Sequence, residues 1–349
     1  MILSVTKHLV RHLASLSAAG LFLAGAAQAS PLPLYTVTDL GTLGGTQTIG
    51  EGINARGQVV GYSYTLGDSS LHAFVYSGGS LADLGTLGGN SSYGLGINAS
   101  GQVTGNSYTA GNAADHAFLY SGGGLADLGT LGGNSSGEDI NARGEVTGYS
   151  FTAGNSTYHA FLYSGDALAD LGTLGGTYSA GFGINDRGQV TGLANTASNA
   201  FHAFLYSDGV LTDLGTLGGT FSGGQAINNR GQVTGASFTA GDSAFHAFLY
   251  SDGALTDLGI LVGGTYSVGE AINNRGEVVG FGYTGGLAVS GNPNQHAFLY
   301  SGGTMYDLNS LLEPGLNTTL YAAVGINDRG QIVANGLDHH AYLLTPVVP

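Results

Sequence analysis

The chain has 349 residues, of which 23 are acidic and 8 are lysine or arginine, for a formal charge of −15, and it contains no cysteine. That acid excess repels phosphate backbones and anionic lipid, which excludes nucleic-acid binding through a basic patch. Hydrophobic residues at 42% exclude acidic disorder, and stability without disulfides must come from packing and ladder hydrogen bonds, for which the chain is long enough.

Taken in chain order, residues 1–29 read as a secretory leader. Lys7 and Arg11 precede the apolar stretch LASLSAAGLFLAGA, and Ala27-Gln28-Ala29 supplies a small-residue cleavage site before Ser30. The apolar run is shorter than the roughly 20 residues that a membrane span needs. Cleavage after Ala29 removes two basic residues and no acid, which takes the charge of residues 30–349 from −15 to −17. No later stretch has spanning length, so the expectation is a monomer secreted to the extracellular space or cell surface.

From residue 35 onward the sequence repeats. The stretch HAFLYSGGGLADLGTLGG at 116–133 returns almost unchanged at 159–176 and 202–219. Its histidine falls at 72, 116, 159, 202, 246, 296 and 340, the aspartate of its DL element at 39, 83, 127, 170, 213, 257 and 307, and the asparagine of an IN element at 54, 98, 141, 185, 228, 273 and 327. Each unit of about 44 residues contains four short strand candidates, in unit two YGLGIN, QVTGNSY, HAFLYS and LADLG. HAFLYS alternates with period two, and glycine every few residues disfavours helix by about 1 kcal/mol each. Four strands in this length are one propeller blade. The first unit begins on a fourth-type strand, YTVTDLG at 35–41, and the last ends on a third-type strand, HAYLLTP at 340–346. Pairing these two completes a seventh blade and leaves no end edge open. The expected fold is all-β, one seven-bladed propeller over residues 30–349.

The combination HAFLYSGG, LADLGTLGG and GINARGQVVG, covering residues 35–345, resembles the secreted bacterial HAF-repeat proteins, named for the His-Ala-Phe triplet. The resemblance implies an extracellular protein without an assigned activity. Many such proteins end in a VPEP signal that sorts them to the surface of exopolysaccharide-producing cells. This chain stops at LLTPVVP, where that tail begins, which favours free secretion.

Residues that recur once per unit are spread around a ring and cannot converge on one reacting group. The seven motif histidines are therefore expected to sit in a polar network with a nearby aspartate, and the GTLGG glycines to form turns. GXGXXG-like fragments lack a strand–helix setting and give no dinucleotide site. Arg56, Arg143, Arg187, Arg230, Arg275 and Arg329 all occupy the N-x-R-G turn, which gathers the fixed positive charge on one face. They either bridge to neighbouring blades or grip the carboxylates of an acidic polymer.

Three residues before the IN asparagine the units differ, reading Glu51, Leu95, Glu138, Phe182, Gln225, Glu270 and Val324. The glutamates read as solvated acids at the ring entrance, as calcium ligands together with carbonyl oxygens, or as a glycosidase pair about 5–10 Å apart. Spacing marks no metal site. Tyr178, Phe221 and Tyr266, in the loops after GG, and Tyr93, one slot away, suit stacking on sugar rings or packing between blades. Longer loops at 285–295 and 309–320 break the pattern, as insertions on a binding face do. The leading reading is a secreted module that binds matrix polysaccharide through rim loops. A polysaccharide lyase or glycosidase ranks second, with Glu51, Glu138 and Glu270 as its candidates, and a protein-binding scaffold third.

Overall fold

The computed structural model describes residues 34–154, 156–285 and 294–347. The leader expected at 1–29 and most of the 285–295 loop lie outside these residues. The described chain forms seven four-stranded antiparallel sheets, six of which take their strands in sequence order. In blade 2, for example, the strands are Gly88–Ile97, Val103–Thr109, Asp115–Tyr120 and Leu125–Asp127, and blade 3 begins at Gly132–Ile140. The first strands of successive blades contact one another all the way round, so they are the innermost strands of a closed ring.

Closure is as expected. The strand Tyr35–Asp39 forms the outer edge of blade 7 by pairing antiparallel with Ala341–Pro346, Tyr35 opposite Pro346 and Asp39 opposite Tyr342. The 309–320 segment lies against the chain's first strand. Leu312 bridges to Tyr35, Glu313 N–H donates to the Tyr35 carbonyl, and Leu308 and Leu320 are buried beside Tyr35. It fastens the terminal strand to the ring.

The repeated words are explained by packing between blades. A blade is covered on both faces, so adjacent Ala117 and Phe118 are both fully buried although they point to opposite sides. At the junction of blades 2 and 3, Ala117 and Leu128 of one pack with Ile140, Val146 and Phe161 of the next. The same five words meet between blades 4 and 5 as Ala203, Leu214, Ile227, Val233 and Phe248.

The IN asparagine links the blades by hydrogen bonds. Its side-chain oxygen accepts the N–H groups two and four residues on, which shapes the N-x-R-G turn, as Asn141 does for Arg143 and Glu145. Its amide nitrogen donates to the backbone carbonyl of the next blade's asparagine. These links run Asn54 to Asn98, then to Asn141, Asn185, Asn228, Asn273, Asn327 and back to Asn54, at 3.0–3.3 Å. The turn glycine has a left-handed backbone, as at Gly144 with φ of 81°.

Candidate functional site

Two faces and a lining are available to a partner, and the sequence candidates divide among them. The six arginines are exposed on the face formed by the turns between first and second strands. Arg143 binds Glu145 at 2.5 Å and donates to the Asp186 carbonyl of the next blade at 2.7 Å. Arg275 repeats this with Glu277 and the Asp328 carbonyl. Burial opposes the charge on Glu145, but hydrogen bonds from Arg143 and Asn141 outweigh it and hold its carboxyl below the usual range. The same turns, and those between third and fourth strands, also carry Glu145, Asp166, Asp186, Asp208, Asp252, Glu277 and Asp328. The positive charge does gather on one face, yet acids match it there, so the face is not a basic crown.

Glu51, Glu138 and Glu270 are not solvated acids at an entrance. They are 8%, 1% and 3% exposed, on the innermost strands of blades 1, 3 and 6, no two of which are adjacent. The varying position is the extra residue of a β-bulge in every blade, skipped between the paired Gly50 and Gly52, Gly137 and Asp139, and Gly269 and Ala271. A bulge turns its residue out of the ladder, which is why this slot escapes the repeat. Ser136 donates to Glu138 at 2.8 Å. Among the described residues, no three His, Asp or Glu side chains are grouped to hold a metal.

The opposite face is formed by the loops that leave the fourth strand and join the second to the third. Each blade carries there a histidine whose Nδ1 lies 2.6–2.8 Å from the aspartate oxygen of its DL element. The seventh pair, His340 with Asp39, joins the two ends of the chain. Burial raises Asp257, but the bonds from His246 and from the Gly259 N–H prevail and lower its pKa overall. An Nδ1–H given to the carboxylate leaves Nε2 without a protein partner at a partly open ring edge. Beside these pairs lie polar loop contacts: Thr46 donates to Asp68, Asn90 N–H to Asn112, and Thr220 to Asp242.

The aromatics do not stand in the loops. The first strand starts at Gly175 in blade 4 and at Gly218 in blade 5, earlier than the motif suggests, so Tyr178 and Phe221 lie inside strands. Tyr266 directly precedes the strand Ser267–Ile272. Phe221 and Tyr266 are 7% and 3% exposed. Tyr266 stacks on Phe245 of the preceding blade at 5.1 Å and 18°, and half-buried Tyr178 meets Tyr158 at 4.9 Å. These rings are wedges between blades, and the buried Phe221 and Tyr266 offer no face to a sugar. Tyr93 is half-buried, edge-on to Tyr62 at 5.1 Å.

Between blades 2 and 3 the wedge is replaced by polar side chains. Between blades 3 and 4 it consists of Tyr149, Tyr158 and Tyr178, standing eight residues after the IN asparagine, one before the motif histidine, and seven before the next IN asparagine. Between blades 2 and 3 the same three slots hold Asn106, Asp115 and Asn134. Asn106 donates to both Asp115 oxygens at 2.9 and 3.0 Å, and the Asp115 N–H donates to the Asn134 side-chain oxygen at 3.4 Å. All three are half-buried, as are Tyr93 and Tyr108 nearby. Burial pushes the Asp115 carboxyl up, against the bond from Asn106 and the pull of His116, and burial with these neighbours raises the Tyr93 phenol. The largest apolar cluster draws residues from every blade except blade 2. Sequence reading passed over Asn106, Asp115 and Asn134, although aligning the units slot by slot exposes them.

No family model matches the chain, and no curated protein matches it. The structure is similar to virginiamycin B lyase from Staphylococcus aureus, at 11% identity over 90% of this chain and 100% of that one, with a TM-score of 0.50. It is also similar to the β-propeller domain of the Trilobed protease from Pyrococcus furiosus, at 11% identity over 75% and 84% of the two chains, with a TM-score of 0.53. At such identities the likeness shows a shared propeller scaffold and nothing of its chemistry.

Proposed function

We propose that this propeller is a secreted module that binds a hydroxyl-rich extracellular polymer, a matrix polysaccharide, on the face bearing the His–Asp pairs. The observation that carries the reading is the array itself. One half-open imidazole edge per blade, set among Thr, Asn and Asp side chains, gives a ring of similar hydrogen-bonding stations. A repeated surface suits a repeated partner, because weak contacts made together add through effective concentration. The leader read at 1–29 supports an extracellular setting.

The test is incubation of residues 30–349 with insoluble neutral and acidic polysaccharides, following protein depletion and polymer length together. Depletion with polymer length unchanged is the expected result. Shortened chains would replace the binding module with an enzyme, and no depletion across the panel would leave a protein-binding scaffold.

A further inference from the structure

We infer that the junction of blades 2 and 3 is a subsite for one neutral sugar residue, in which Asp115 accepts a vicinal pair of hydroxyls beside the half-exposed rings of Tyr93 and Tyr108. This rests on the polysaccharide reading, and it assigns to one off-pattern place what the repeated face supplies only collectively.

Three observations converge on it. First, a half-buried carboxylate stands where the next junction has a tyrosine, and no arginine among the described residues contacts it; the six described arginines lie at the opposite ends of the strands. Such a group costs stability unless it does something else. Second, the donors and acceptors are incompletely used. Asn106 spends its amide nitrogen on Asp115 and Asn134 its oxygen on the Asp115 N–H, which leaves the Asn106 oxygen and the Asn134 amide nitrogen without protein partners. Polarity alone does not produce this. Asn335, in the Asn106 slot of blade 7, is 2% exposed and spends both ends of its amide on the backbone of Gly50. Third, aromatic rings flank the polar group while remaining partly open, unlike Phe221 and Tyr266. A sugar ring has this dual character, hydroxyls at its edge and C–H groups on its face, with the flat ring matching the latter. The carboxylate selects ligands that donate, and in a chain of formal charge −15 it rejects uronates. The titratable groups around it are Tyr93, Tyr108 and His116, and His116 is turned to Asp127 at 2.8 Å.

The experiment is calorimetric titration of residues 30–349 with β-1,4-linked hexasaccharides of glucose, mannose and galactose and with hexagalacturonate, for the wild type, Asp115→Leu and Asn134→Tyr. At least one neutral hexamer is expected to bind and the uronate not. Asp115→Leu should weaken that binding about tenfold or more, since a lost hydrogen bond to a charged group has that effect, and Asn134→Tyr should abolish it by filling the place. Wild-type binding should also weaken as acid protonates Asp115. Unfolding curves of both variants show whether the loss is local. No binding of any neutral hexamer, or equal binding by wild type and folded Asp115→Leu, overturns the subsite even if polymer depletion persists. Hexamer binding without depletion of any polymer would instead remove the polymer reading and keep the subsite.

Discussion

Between blades 3 and 4 the upper part of the junction is closed by Tyr149, Tyr158 and Tyr178, with Tyr149 and Tyr158 at 6.0 Å and Tyr158 and Tyr178 at 4.9 Å. Between blades 2 and 3 the same slots hold Asn106, Asp115 and Asn134, joined by hydrogen bonds and open to water. Below them the two junctions are alike, with Ala117, Ile140, Val146 and Phe161 in one and Ala160, Ile184, Val190 and Phe204 in the other. A junction therefore has a lower part that holds blades together and an upper part that is free to vary. Chemistry can change in the upper part because the lower part does not depend on it.

The comparison can be broken most forcefully at Tyr158. Replacing this 7% exposed ring by alanine removes its buried area and three ring contacts, and should cost about 3 kcal/mol in urea unfolding. The asparagine links are common to both junctions, so Asn98→Ala and Asn141→Ala should each cost about 2 kcal/mol, by leaving buried N–H and carbonyl groups unmet. A clear inequality between them would show that the lower parts are not alike.

Asp115→Leu should act in the other direction, raising stability by about 1 kcal/mol at pH 7. The sign follows from burial, which raises the Asp115 pKa in the folded state. Its contribution to stability is full below the unfolded value near 3.9 and is lost as pH rises through the folded value. The gain from leucine should therefore shrink as the solution is acidified, read by melting temperature against pH. The smallest effect is expected at Arg143→Ala, below about 1 kcal/mol, because half of that side chain is in water. Glu145 is held low by this partner, so that contribution is present above the ordinary carboxylate range and fades as pH falls.

The ring was legible because its evidence is arithmetic: seven occurrences of each word, and two orphan strands that complete each other. The His–Asp pairs were legible for the same reason. What escaped was where strands begin. The glycines before Tyr178 read as a loop, yet Gly175 already pairs with Thr196, so the aromatics belong to strands and pack inward. The bulge at Glu138 escaped too, since nothing in one unit distinguishes an extra residue from a paired one. Asp115 was hidden differently. A single aspartate in an acidic chain attracts no notice until Tyr158 and Phe245 are seen in its slot.

The asparagine circuit has a consequence for how such a chain can change in length. Every link uses the side chain of one asparagine and the main-chain carbonyl of the next, so each unit carries both a plug and a socket. A whole unit copied or deleted leaves no plug unmatched, whereas a fragment of a unit leaves one of each exposed. The circuit is indifferent to copy number and intolerant of fractions, so the count of seven is left to the apolar packing that recurs at the junctions.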